Sequence, residues 1–210
     1  MSEEDLKLRE SMVLVCKLLY TKGLIAGADG NVSVRASRHG PVLITPSGSH
    51  KGLLSADEIV MADDAGNVLK GEGRPSSELP LHLAVYRRDP ECMAIVHTHA
   101  PWTMALSLAG LGLSPHLTAE GMILLGDVPV VRYEPPGSHL LAEAVIEVLG
   151  RSRAHILANH GAITRGESLM KAFELMECLE HNAKITYLAR LLAGSAPPSG
   201  LSTPVSASSS

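Results

Sequence analysis

The chain has 210 residues, 45% of them apolar and 19% charged, which is the composition of a soluble domain with a hydrophobic core. A net charge of −4 without a basic stripe excludes the electrostatic pattern of a nucleic-acid-binding protein. No apolar run approaches the roughly 18 residues that would span a bilayer, and the acidic start at residues 1–5 is unlike a signal peptide. The three cysteines lie in apolar or helical contexts, which favours free thiols, so we expect a cytoplasmic protein.

Apolar periodicity predicts helices that alternate with short strands. The predicted helices cover residues 3–23, 76–88, 101–108, 138–149 and 167–192. The predicted strands cover residues 31–35, 42–44, 59–61, 68–69, 93–96, 128–132 and 155–158, and the pattern at 120–126 is ambiguous. This order predicts one α/β domain over residues 1–194, with a mixed or antiparallel sheet covered by helices. A Ser/Pro/Ala-rich tail at 195–210 follows it.

Two histidines at the end of a predicted buried strand are the first candidate metal ligands. His97 and His99 are two residues apart, and an ideal strand sends side chains at that spacing to the same face. His160 follows a second apolar run and precedes Gly161, which permits close backbone approach. Three imidazoles with an open fourth position are typical of a catalytic zinc site, although histidines on strands are also often held by hydrogen bonds alone.

A carboxylate at the start of a predicted helix is the candidate acid or base. Glu78 follows Ser76 and Ser77, and the simplest interpretation is helix capping, which the helix dipole favours. The same helix terminus, with its free N–H groups and two hydroxyls, is also suited to an anion such as a phosphoester. Glu78 could then act as a general base beside it, and His82, one turn further on, either orients Glu78 or packs in the core.

Two glycine-containing loops are further candidates for anion binding. One covers residues 27–31 and the other covers residues 45–48. Each could be an ordinary turn, but backbone N–H groups in such turns also form concave anion-binding nests. A phosphate held in this way needs no lysine.

Five motifs occur in the order seen in the class II aldolase/adducin family, which this chain resembles over residues 8–192. They are Gly30-Asn31-Val32-Ser33, Ile44-Thr45-Pro46-Ser47-Gly48, Pro75-Ser76-Ser77-Glu78, His97-Thr98-His99 and Asn159-His160-Gly161. The resemblance implies a three-layer α/β/α sandwich around a mainly antiparallel sheet. It also implies a homotetramer with active sites at subunit interfaces and one Zn²⁺ per subunit.

The resemblance further implies a role for each matching residue. His97, His99 and His160 would hold the zinc, and Glu78 would be the acid/base residue and a zinc ligand when no substrate is bound. The phosphate of the substrate would be held by Asn31, Thr45, Ser47, Gly48, Ser76 and Ser77.

The activity expected from the resemblance is retro-aldol cleavage of a ketose 1-phosphate, of the fuculose type or of a deoxy- or methylthiopentulose type. The products would be dihydroxyacetone phosphate and an aldehyde. The alternatives on the same scaffold are a sugar-phosphate dehydratase, decarboxylase or epimerase, and a non-catalytic adducin-like module. Glu120 is either a second proton donor, as in a dehydratase, or a charge at a helix end. The tail contains no tyrosine that could protonate the aldehyde oxygen.

Overall fold

A computed structural model describes residues 3–113, 115–194 and 200. The helices are α1 (Glu3–Thr21), α2 (Leu79–Arg88), α3 (Pro101–Leu108), α4 (His139–Val148) and α5 (Leu169–Ala193). The strands are β1 (Asn31–Arg35), β2 (Val42–Ile44), β3 (Val60–Ala62), β4 (Val68–Lys70), β5 (Ala94–Thr98), β6 (Val130–Val131), β7 (Ala154–Leu157) and β8 (Gly161–Gly166). Short 3₁₀ turns include Lys51–Leu53 and Ala56–Glu58.

The strands form one sheet in the order β4-β3-β2-β1-β5-β8-β7-β6. All neighbours are antiparallel except β6 and β7, which are parallel. In the centre of the sheet, β5 pairs with β1 on one side, where His97 faces Asn31, and with β8 on the other. The sheet is therefore mainly antiparallel and mixed, as predicted.

Helices cover both faces of the sheet. Residues alternate between faces along each strand, so Val96 belongs to one core and Ile95 to the other. The first core is closed by α1 and α5, which contribute large buried side chains such as Met12 and Met176. The second is closed by α2 and α4, with Leu81 and other apolar residues. This confirms the predicted three-layer α/β/α class.

Helix α3 packs on α5, and one carboxylate joins them. Both oxygens of Glu180, on α5, accept hydrogen bonds at the N-terminus of α3: from the N–H of Trp102 at 2.8 Å and from the N–H and hydroxyl of Thr103 at 2.9 and 2.8 Å. A carboxylate is stabilised at that helix end because it meets unpaired N–H groups and the positive end of the dipole. The contact holds α3 immediately after the histidine pair.

Most predicted elements are present, with three differences. Strand β8 was not predicted, although it contains the β-branched pair Ile163 and Thr164. The ambiguous stretch at 120–126 contains a turn of π-helix, Gly121–Leu125. Helix α2 begins at Leu79 rather than at residue 76, because Glu78 is its N-cap. The predicted tail lies, apart from residue 200, outside the described residues.

Within the described ranges, none of the helices is both long enough and apolar enough to traverse a lipid bilayer.

Candidate metal and phosphate site

The pairing of β5 with β8 brings the three histidines together. His97 is in β5, His99 follows its end, and His160 lies on the turn between β7 and β8. Because Thr98 pairs with Ala162, this turn lies beside the end of β5. The imidazole centroids are 4.8 to 5.3 Å apart. One nitrogen from each ring lies within 4.8 Å of the others, a spacing that suits one shared ion.

The backbone around His160 is shaped for this approach. Asn159 has a φ of +57°, in the left-handed region that asparagine tolerates better than most residues. A Cβ atom at Gly161 would lie 2.2 Å from the carbonyl oxygen of Thr98, which is closer than non-bonded atoms can approach. Only glycine at 161 therefore allows His160 to come this close to the histidine pair.

Glu78 lies between two of the histidines. It is the N-cap residue of α2 and is 4% exposed. Its Oε2 is 3.1 Å from Nε2 of His97, and its Oε1 is 3.2 Å from Nε2 of His160. The Asn31 amide donates to Oε2 at 3.2 Å. Burial alone would raise the pKa of Glu78, but the His160 imidazole and the Asn31 amide hold that pKa well below its usual range. The carboxylate is therefore ionised at neutral pH.

The orientation of His97 makes its contact with Glu78 unfavourable without a cation. Its Nδ1 lies 2.9 Å from the carbonyl of Ala162, which can only accept, so Nδ1 carries the proton. Burial lowers the pKa of His97 to about 4, so the ring is neutral and Nε2 presents a lone pair to a carboxylate oxygen. Two acceptors at this distance repel each other unless a positive charge lies between them.

The unpaired atoms of the site fit a divalent metal. Among the described residues, buried side-chain atoms without a hydrogen-bond partner include Nε2 of His97 and Oε1 of Glu78, which both lie in this cluster. Native proteins rarely leave such atoms unpaired, so this cluster indicates that a cation binds here in the functional protein. Neutral imidazoles and an ionised carboxylate are the donors that zinc prefers.

His99 is more exposed than the other two histidines, and it lies beside a further carboxylate, that of Asp29. Its side chain is 31% exposed, and Nδ1 lies 3.7 Å from Oδ2 of Asp29. The other oxygen of Asp29 accepts the N–H of Ala26 at 2.7 Å, which fixes the carboxylate. Carboxylates beside metal-bound histidines commonly orient the ring, so Asp29 is a positioning candidate. From the sequence alone, Asp29 is only one residue of the glycine-containing loop 27–31.

A cavity of about 170 Å³ borders the histidines and Glu78. Of the residues predicted to bind phosphate, it is lined by Asn31, Ser47, Gly48, Ser76 and Ser77. Thr45 is not among its lining residues, because its side chain is fully buried and its hydroxyl accepts the N–H of Val32 at 3.2 Å. Lys51 lines the cavity and was not predicted, since no motif marks it.

Besides Thr45, two predicted side chains do not line this cavity. Glu120 is exposed and lines another groove, beside Cys178 and His181. His82 is fully buried, and its Nδ1 is 2.6 Å from the hydroxyl of Ser33, which also contacts the hydroxyl of Tyr86 at 2.7 Å. Of the two interpretations of His82, packing in the core is therefore the one that its contacts support.

Several known proteins are similar to this chain in sequence and fold. A 3-oxo-tetronate 4-phosphate decarboxylase from Haemophilus influenzae is 37% identical over 188 residues, covering 87% of this chain and 88% of that protein. An L-fuculose phosphate aldolase from Methanococcus maripaludis is 38% identical over 178 residues, covering 85% and 94%. The crystal structure of YgbL from Escherichia coli superposes with a TM-score of 0.85 at 35% identity, covering 95% of each chain. Residues 10–187 match the model of the class II aldolase and adducin N-terminal domain, and the chain belongs to that family.

Proposed function

We propose that this protein is a zinc-dependent lyase that breaks the bond between the α and β carbons of a ketone in a phosphorylated sugar or sugar acid. The observation that carries the proposal is the position of Glu78, whose two carboxylate oxygens lie 3.1 and 3.2 Å from His97 and His160. The group lies beside a polar cavity that includes Ser76 and Ser77. The intact donor set also argues against a non-catalytic adducin-like module.

In this proposal His97, His99 and His160 hold the metal, with Glu78 as a fourth ligand when no substrate is bound. A zinc ion held there would act as a Lewis acid toward the substrate's ketone oxygen and so favour the negative charge that develops when the bond breaks. The side chains of Asn31, Ser47, Ser76 and Ser77, with the backbone at Gly48, bind and orient the phosphate. This fixes the reacting bond beside Glu78.

Glu78 handles the proton in this proposal. Once the substrate is bound, Glu78 would take up a proton from solvent. When the bond breaks, Glu78 transfers that proton to the substrate carbon that retains the electron pair. Burial and the Asn31 amide hold the carboxylate in place between transfers. Since the site lies in the low-dielectric core, the charge change at Glu78 acts strongly on the reacting carbon.

Between the two possible leaving groups, the geometry favours carbon dioxide. A 3-oxo acid loses carbon dioxide with a single proton transfer to carbon, so Glu78 suffices once it has taken up one proton from solvent. A retro-aldol cleavage also needs a base for the hydroxyl proton of the departing fragment. Glu120, the candidate for that role, lines another groove. The Haemophilus influenzae relative, named as a decarboxylase of a phosphorylated 3-oxo acid, supports the same choice.

Retro-aldol cleavage of a ketose 1-phosphate is the second candidate. The Methanococcus maripaludis relative named as an L-fuculose phosphate aldolase supports it, because this chain covers 94% of its length at 38% identity. We also propose the homotetramer with interfacial sites that the family resemblance implies. In such a tetramer a neighbouring subunit could supply the base that accepts the hydroxyl proton in retro-aldol cleavage. A molar mass in solution of four times 22.2 kDa would be the expected result.

One assay separates these candidates. Metal-loaded protein is incubated with a phosphorylated 3-oxo sugar acid and with several ketose 1-phosphates, while carbon dioxide and triose phosphate are measured. We expect carbon dioxide from the acid, one zinc per chain, and loss of both activity and zinc in His97→Ala. Triose phosphate from a ketose 1-phosphate would select the aldolase instead. Zinc-loaded protein that releases neither product would remove the lyase assignment.

A further inference from the structure

Lys51 is a buried cation on the wall of the proposed phosphate site. It opens the 3₁₀ turn Lys51–Leu53, is 2% exposed, and lines the cavity together with Ser47 and Ser76. Its backbone N–H donates to the carbonyl of Gly27 at 3.0 Å. The residue therefore lies where the two glycine-containing loops, 27–31 and 45–48, approach each other.

The ammonium group of Lys51 has only neutral partners. Nζ donates to the carbonyls of Ser49 at 2.9 Å and Ala28 at 3.2 Å, and more weakly to the Ser49 hydroxyl at 3.4 Å. In the part of the chain that the structure describes, no carboxylate lies within ion-pair distance of Nζ. The buried Arg9 differs in this respect, since it pairs with Asp5 at 2.8 Å.

A buried ammonium without a counter-charge is costly to maintain. Burial lowers the pKa of Lys51, in spite of the nearby Asp29, which indicates that the negative charge around it is insufficient. The cost is removed when an anion binds beside the ammonium. The Ser49 hydroxyl contact is the longest of the three, so the proton that makes it can turn toward such an anion.

Apart from the proposed metal, Lys51 is the source of positive charge on the wall of the cavity. Among the described residues that line it, Lys51 is the one lysine or arginine, and Asp29 and Glu78 contribute carboxylates. The charge of a bound zinc ion would be offset in part by Glu78, so a dianionic phosphate still gains from a lysine, which acts on it as a point charge. The space of about 170 Å³, on the order of five or six waters, admits one phosphate group.

We propose that Lys51 is the residue that selects for a phosphorylated substrate, by placing its ammonium against the phosphate that the serine and asparagine side chains orient. This inference rests on the proposed function for the identity of the substrate. It concerns an anion preference, however, that can be measured without turnover.

The test is titration of zinc-loaded protein with inorganic phosphate by calorimetry. In Lys51→Met, which keeps the apolar stem, we expect the dissociation constant to rise about tenfold or more, since a hydrogen-bonded charge is lost. Lys51→Arg restores the charge and should bind phosphate within about threefold of the wild type. The control Lys17→Met removes a lysine from an exposed position of α1 and should leave the affinity unchanged.

Three results would overturn the proposal: no measurable phosphate binding to the wild type, wild-type affinity in Lys51→Met, or failure of Lys51→Arg to restore binding. A Lys51→Met protein with reduced zinc content or a lower melting temperature would mean that Lys51 only ties the loops together, and this also counts against the proposal. If the assay for carbon dioxide and triose phosphate detects neither product, the proposed lyase activity is wrong, but the phosphate titration still stands. The failure of the proposed function can therefore be told apart from the failure of the Lys51 proposal.

Discussion

At the scale of single residues, the site depends on contact between a neutral imidazole, that of His97, and an ionised carboxylate, that of Glu78. Burial keeps His97 neutral, while its neighbours keep Glu78 ionised. Either group alone would destabilise the folded state, because burying a charge or an unpaired lone pair costs free energy. Together they form a donor set for a divalent cation, and the same carboxylate is then available as a proton carrier.

Replacement of Glu78 tests its role as proton carrier. We expect Glu78→Gln to lower kcat by about 10²- to 10⁴-fold, because the amide cannot transfer a proton, while the three histidines keep most of the zinc. Steady-state kinetics and metal analysis check this. The matched control is Glu120→Gln, which should retain activity within about twofold, since a surface carboxylate contributes little. Loss confined to the Glu120 variant would point instead to a dehydratase.

At the scale of elements, the approach of the β7–β8 turn to the end of β5 decides whether the histidines meet. The critical position is Gly161, where an added methyl group would collide with the backbone of Thr98. Backbone atoms on both sides belong to paired strands and cannot easily move.

Substitution of this glycine is therefore expected to disrupt the site. Gly161→Ala should lower the free energy of unfolding by about 2 kcal/mol or more and weaken zinc binding at least tenfold, because His160 is displaced. The control is Gly150→Ala, where a Cβ atom would meet nothing within 4 Å. Chemical denaturation and zinc titration compare the two. Equal effects in both variants would contradict the steric explanation.

The connection between α5 and α3 gives a second prediction at this scale. Glu180→Leu removes three hydrogen bonds to the start of α3 and leaves buried N–H groups unpaired, so we expect a loss of about 2–4 kcal/mol in unfolding free energy. Urea denaturation measures it. Glu174→Gln, which removes an exposed ion pair with Lys171 on the same helix, should change stability by about 0.5 kcal/mol or less. A similar loss of unfolding free energy in both variants would show that the hydrogen bonds of Glu180 to α3 do not stabilise the fold.

At the scale of the whole molecule, stability should depend on pH through histidines that are buried neutral. Burial lowers the pKa of His155, in β7, from 6.5 to about 4. Between these values the unfolded chain binds a proton that the folded chain does not. Stability from this residue is therefore full above pH 6.5 and is lost as the pH falls toward 4.

Removal of this histidine should flatten the pH dependence. We expect the unfolding free energy of His155→Gln to fall less steeply between pH 6.5 and 4, by up to about 1.4 kcal/mol per pH unit, because one proton fewer is taken up on unfolding. Urea denaturation at several pH values measures the slope. His39→Gln, at an exposed position, is the control and should keep the wild-type slope. An unchanged slope in the His155 variant would mean that the folded protein protonates this ring normally.

The amino-acid sequence by itself determined the fold class, because strand alternation and helical periodicity are local properties that survive in the tertiary structure. It also indicated the family, since His97-Thr98-His99 and Asn159-His160-Gly161 are short motifs whose order is visible without coordinates. Strand β8 was missed because it follows directly after the histidine turn and has no separate turn signal of its own. Its pairing with β5 is what makes the two motifs neighbours.

Only the tertiary structure decided which polar residues share one cavity, because such contacts join segments that are distant in the chain. It brought Lys51 and Asp29 to the site, separated Glu120 from it, and buried Thr45 against β1. Local patterns carry no signal for these contacts. The burial of a charge such as Lys51 depends on the packing of loops around it, and that packing exists only once the sheet has brought them together.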